Sequence, residues 1–89
     1  MHIVMEFIDG RTYNDFKQVS FEQRKECLRR VEQLHDIGLV HGDLRAPNFI
    51  MTPRGVFIID FGRSKFVDSG EEQQLDEEMT DFRRLINTN

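Results

Sequence analysis

The chain has 89 residues, a net charge of -4, 38% hydrophobic and 31% charged residues. That length holds one domain at most, and the balance suits a folded piece better than a disordered one. No apolar run nears the ~20 residues of a membrane span, residues 1–6 lack a secretory signal pattern, and mild acidity gives no charge-based reason for nucleic-acid binding.

In chain order, Ile3-Val4-Met5-Glu6-Phe7-Ile8 is a short apolar run closed by Asp9-Gly10, the pattern of a strand ending in a turn. Residues 11–19 predict a loop with a short helix around 14–17. Ser20 then reads as a helix N-cap, with Gln23 completing a capping box. The helix that follows, residues 20–37, sets Cys27, Leu28, Val31, Leu34 and His35 on one face, and Arg24, Lys25, Arg29, Arg30 and Glu32 on a mostly solvated face. Gly38 fits its C-terminal stop. Cys27 is the single cysteine, which excludes an internal disulfide and fits a reducing, intracellular compartment such as the cytoplasm.

Residues 41–48 read His41-Gly42-Asp43-Leu44-Arg45-Ala46-Pro47-Asn48. Two β-rich runs follow, 49–51 and 56–59, with Pro53 and Gly55 between them where a tight turn wants them. Ile58-Ile59-Asp60-Phe61-Gly62 closes this hairpin, so a polar loop stands at each of its ends. Residues 63–70 are polar and loop-like. Leu75, Met79, Phe82, Leu85 and Ile86 then recur at helical spacing, giving an acidic amphipathic helix over 70–87, with Ser69 and Glu72 as a second capping box.

Asp43, Asn48 and Asp60 are what phosphoryl transfer needs: a carboxylate for the acceptor hydroxyl, and an amide and a second carboxylate for magnesium on ATP. Loops use Asp and Asn for turn chemistry alone, but two such motifs in this order and at this separation weigh against that. The pair resembles the catalytic loop and DFG segment of the protein-kinase-like superfamily. The resemblance implies an α+β fold: hinge plus partial C-terminal lobe, mostly helical with a small β-hairpin, and no N-terminal lobe. The segments become a hinge strand at 1–10, a helix at 20–37, a catalytic loop at 41–48, hairpin and DFG at 49–62, and a last helix at 70–87.

The roles carried over by resemblance are these. Asp43 matches the base that orients the acceptor hydroxyl, and Arg45 stands where a cation meets the γ-phosphate. Asn48 and Asp60 match the ligands of Mg²⁺ (or Mn²⁺) on ATP. Main-chain groups around Met5, Glu6 and Ile8 match the adenine-binding hinge, with Met5 as gatekeeper. His41 is expected to pack the loop against the Asp60 segment and Gly62 to give backbone freedom beside the metal ligand; Asp81 reads either as a brace for the catalytic loop from the last helix or as a solvent-facing acid on an acidic helix. The HGD form, where many protein kinases have arginine in place of Gly42, is similar to RIO kinases, the KEOPS-complex kinase, aminoglycoside phosphotransferases and choline-kinase-like enzymes.

The implied function is an ATP-dependent kinase, serine/threonine-protein-kinase-like and present as a truncated domain. Its acceptor is a protein or small-molecule hydroxyl. No glycine-rich loop, strand lysine or helix glutamate precedes the hinge. That departure supports the alternative, a catalytically inactive remnant acting as an interaction module or completed by a partner protein. A third reading is an unrelated α+β module holding magnesium or manganese on the same acidic loops.

Overall fold

The computed structural model describes residues 10–87, so the expected strand at 3–8, with Met5, Glu6 and Ile8, lies outside the described residues. Two helices, a hairpin and a two-stranded ribbon make a small α+β unit.

The chain enters along the hairpin, where Arg11 bridges Met51 with main-chain bonds of 2.9 and 2.8 Å. A 3₁₀ turn at Phe16–Gln18, capped by Asp15, follows and buries Phe16. Helix α1 is Phe21–Asp36. The Ser20 hydroxyl accepts from Gln23 N at 3.2 Å and donates to Gln23 Oε1 at 3.3 Å, a variant of the expected capping box. At the other end Gly38, at φ +79°, donates to the His35 carbonyl and stops the helix. Cys27 and Val31 are fully buried, while His35 lies at the edge of that face. Arg24 is not on a solvated face. Its guanidinium donates to the carbonyls of Val19 and Ile86, joining the two ends of the domain.

Strand β1 is Leu39–Val40 and leads directly into the loop at 41–48. A 3₁₀ turn at Ala46–Asn48 ends that loop, with Pro47 inside the turn. Strands β2 (Phe49–Thr52) and β3 (Gly55–Ile58) then pair in antiparallel register from Phe49↔Ile58 to Thr52↔Gly55. Thr52 Oγ1 accepts from Arg54 N and donates to the Gly55 carbonyl, fixing the tight turn.

Residues 63–70, expected as plain loop, contain strand β4 (Lys65–Phe66), which pairs antiparallel with β1. Two-residue strands are too short to show alternation, so neither was legible. Their pairing matters: it ties the residues before the 41–48 loop to those after the Asp60 turn. Helix α2 runs Gln73–Asn87. The acids ahead of it cap the connecting turn instead of Ser69: Glu71 Oε1 accepts from Asp68 N and Glu72 Oε2 from Gly70 N.

The core lies where α1, α2 and the hairpin meet. Phe49 and Phe82 stack at 5.5 Å and 16°, and Phe16 meets both edge-on. Val19, Val31, Met51, Val56 and Ile86 close it. Burial and chain direction together place the 41–48 loop and the Asp60 turn at the same end of the hairpin.

Candidate active site

His41 anchors the site. Its ring is fully buried, and Nε2 donates to the Ile59 carbonyl at 2.8 Å while Nδ1 accepts from Asp43 N at 3.2 Å. With Nδ1 accepting, the ring proton sits on Nε2, an assignment made from its partners. His41 therefore joins the 41–48 loop to the strand end before Asp60, as expected of it. Phe61 covers the ring edge-on at 4.9 Å.

Asn48 makes the second tie. Its Nδ2 donates to the Asp43 carbonyl at 2.7 Å and to Asp43 Oδ2 at 3.2 Å, and its own carbonyl accepts from Ile59 N at 2.9 Å. Asn48 is 6% exposed, so these bonds are shielded and hold well. The other carboxylate oxygen of Asp43, Oδ1, lies 3.3 Å from Arg45 Nε, whose side chain is largely exposed. Asp43, Arg45 and Asn48 are thus in contact. Asp60 joins them through its neighbour Ile59, bonded to both His41 and Asn48.

Two glycines behave differently from the sequence reading. Gly42 has φ +89°, and a Cβ there would run into the carbonyl of Arg63. Only glycine fits, for a backbone reason. Gly62 is not the residue in the left-handed region; Asp60 is, at φ +62°. Aspartate tolerates that region better than most residues because its short polar side chain can bond locally.

Of the two readings of Asp81, the solvent-facing one holds, and the brace from the last helix is another residue. Asp81 does not reach the loop: its side chain is 78% exposed and lies 3.9 Å from Arg84. Glu78, one turn earlier, does the work. Its Oε1 accepts from His35 Nε2 at 2.7 Å and His41 N at 3.1 Å, and its Oε2 accepts from Gly42 N at 2.7 Å. Burial raises its pKa, but the bonds from His35, Gly42 and His41 outweigh that and hold it below the usual carboxylate range. The sequence did carry a signal for this residue. Glu78 is three after Leu75 and four before Phe82, an acid on the apolar stripe of an amphipathic helix.

Among the described residues no cluster of three or more His, Cys, Asp or Glu could cage a metal. Magnesium does not need one: it is held by one or two carboxylates together with water and substrate phosphates. Asn48 spends its Nδ2 on Asp43 and so keeps its amide oxygen for ligation. An amide oxygen and a carboxylate are hard donors, a chemistry that suits magnesium or manganese and not zinc.

A family model described as the RIO domain matches residues 1–87. The chain belongs to the RIO domain family. With it comes membership of the protein-kinase-like superfamily. The KEOPS complex subunit Bud32 of Pyrococcus abyssi is 38% identical over 81 residues, covering 85% of this chain and 37% of that protein. A probable serine/threonine-protein kinase, the BUD32 homolog of Archaeoglobus fulgidus, is 32% identical over 74 residues, covering 83% of this chain and 37% of its own length. A probable bifunctional tRNA threonylcarbamoyladenosine biosynthesis protein of Methanothermobacter thermautotrophicus is 34% identical over 77 residues, 83% of this chain and 14% of that one. The chain therefore spans little more than a third of the length of these relatives at most. No helix among the described residues is long and apolar enough to cross a membrane.

Proposed function

We propose that this chain is the catalytic-loop half of an ATP-dependent phosphotransferase that works as a serine/threonine-protein-kinase-like enzyme. One observation supports it above the others: Asn48 bonds Asp43 with its side chain and Ile59, the neighbour of Asp60, with its main chain. Base and amide thus belong to one hydrogen-bonded unit that also holds the residue before the second carboxylate, and phosphoryl transfer depends on such positioning.

In this reading the acceptor's hydroxyl oxygen attacks the γ-phosphorus, the bond to the β–γ bridging oxygen breaks, and the hydroxyl proton passes to the Asp43 carboxylate. Asn48 donates to Asp43 Oδ2, keeping that carboxylate oriented. Arg45, now 3.3 Å from Oδ1 with its side chain largely exposed, would be the cation that meets charge on the transferred group. Asn48 Oδ1 and Asp60 would hold Mg²⁺ or Mn²⁺, which neutralises phosphate charge when bound. Main-chain groups of Met5, Glu6 and Ile8 would meet adenine. Since the P. abyssi relative is named as a complex subunit, a protein partner that completes the nucleotide cleft belongs to this reading.

Isothermal titration with Mg²⁺-ATP, beside Asp60→Ala, tests it. Saturable heat that Asp60→Ala abolishes is expected. A second reading, a non-catalytic interaction module, draws on a separate feature: Ile37, Phe57 and Phe61 are 63%, 39% and 41% exposed around a groove of about 300 Å³. Absence of Mg²⁺-ATP heat from a chain shown to be folded would favour that module.

A further inference from the structure

A second groove of about 300 Å³ lies between the end of α1 and the first half of α2, and shares no residue with the groove at Ile37, Phe57 and Phe61. Glu32 and Asp36 stand on its α1 side, one turn apart; Asp76 and Arg83 stand on its α2 side, and Leu75 and Met79 supply its apolar lining. Among the described residues no ion pair engages Glu32, Asp36 or Asp76. One guanidinium against three carboxylates leaves the groove acidic. Acids on helix faces are ordinarily just solvated; His35 sets this place apart. Its side chain is 10% exposed, and its Nε2 is spent on Glu78 at 2.7 Å. Glu78, held below the usual carboxylate range, is the acceptor there. The ring proton therefore sits on Nε2, and Nδ1 of the neutral imidazole is left as an acceptor. That nitrogen has no partner among the described residues and is not sealed from solvent. The groove is the opening that His35 lines.

We propose that this groove is a docking pocket for an arginine side chain on a basic segment of a partner protein. The guanidinium donates to His35 Nδ1 and to the carboxylates of Glu32, Asp36 and Asp76, while the arginine stem lies on Leu75 and Met79. Charge complementarity sets the sign of the occupant. Several acceptors around one point suit the five-donor fork of arginine better than the point charge of lysine. A bare metal ion does not suit the groove, since no cluster among the described residues could hold one. A donor on Nδ1 also fixes the tautomer in which Nε2 donates to Glu78. The docked partner thereby steadies the brace that Glu78 forms on His41 and Gly42. Neither step depends on the phosphotransferase reading.

The test is fluorescence anisotropy of a short labelled peptide of arginine, leucine and serine, without nucleotide, at about pH 8, where an ordinary imidazole is neutral. Two double variants are compared: Glu32→Gln/Asp76→Asn in the groove, and Glu22→Gln/Asp81→Asn, which removes the same charge elsewhere on the same two helices. All four positions are exposed, and circular dichroism checks folding. Saturable binding to wild type is expected, at least about fivefold weaker in the groove variant and little changed in the control. A peptide with lysine in place of arginine should bind more weakly. On wild type alone, the nitrogen NMR resonance of His35 Nδ1 should move as the peptide saturates. Equal weakening by the two double variants would reduce the effect to overall charge and overturn the proposal. So would an unmoved Nδ1 resonance at saturation, free arginine competing as well as the peptide does, or no saturable binding by the folded chain.

Discussion

The two loops that supply the candidate carboxylates are held in different ways. The loop at 41–48 is gripped from three sides: Glu78 takes the main-chain N–H groups of His41 and Gly42, buried His41 reaches the Ile59 carbonyl, and Asn48 closes back onto Asp43. The turn at 60–63 is fixed mainly through its backbone. Asp60, Phe61, Gly62 and Arg63 are all exposed, and the turn's own bonds run from Ser64 to the Phe61 carbonyl. The first loop is built by the fold before anything binds. The second has its path set by the backbone and its polar side chains exposed to solvent.

The largest effect should come from Gly42, and its contrast with Gly62 compares one glycine in each loop. Gly42→Ala needs φ +89° and pushes a Cβ into the Arg63 carbonyl, so it should cost about 3 kcal/mol in chemical denaturation. That is a large share of a stability on the order of 5–10 kcal/mol for a small domain. Gly62→Ala meets nothing closer than Asp60 Oδ1 at 3.5 Å, outside the left-handed region. It should leave stability unchanged or raise it by up to about 1 kcal/mol. Equal losses at both positions would erase the contrast between the loops.

Next comes Glu78→Gln, which removes the charge from an acceptor of three hydrogen bonds whose side chain is 12% exposed. A loss of roughly 2 kcal/mol is expected, since bonds to a charged group exceed neutral ones. A change under about 0.5 kcal/mol would mean that Glu78 does not grip the loop. The same residue gives a pH signature. Its folded pKa is depressed, so its contribution is fully present above the ordinary value of 4.5 and fades as pH falls below that through the folded pKa. Denaturation midpoints of wild type and Glu78→Gln should therefore converge on acidification below about pH 4.5. A constant gap would assign the stabilisation to another group.

How far the sequence could reveal these loops follows the same division. The capping serine, the α1 face around Cys27 and Val31 and the hairpin turn at 52–55 rest on short-range pattern and were legible; the linkage of His41 to the Asp60 strand was legible only through the family resemblance. The β1–β4 ribbon was not, because two residues carry no period. Glu78 was overlooked in favour of Asp81 because a brace depends on which turn of α2 faces the loop, and that is set by the packing of Phe82 and Ile86. Gly42 was visible only as a missing arginine; the carbonyl that excludes every other side chain comes from Arg63, far along the chain. The buried thiol of Cys27, pushed up to about 12 by burial, likewise owes its inertness to three-dimensional packing.

The smallest effect sharpens the comparison most. Asp60 is a non-glycine residue at φ +62°, a conformation that costs on the order of 1 kcal/mol. If its side chain is reserved for a ligand, Asp60→Gly should relieve that cost, and the entropy lost by glycine on folding should offset part of the gain. Stability would then be unchanged or higher by up to about 1 kcal/mol, while Mg²⁺-ATP heat disappears. Such a result would mark Asp60 as a position where the fold accepts strain for function, the usual trade between stability and activity. A loss of more than about 1 kcal/mol would instead show that the carboxylate already stabilises the turn by itself. The two loops would then both be prebuilt, and the site would differ from end to end only in exposure.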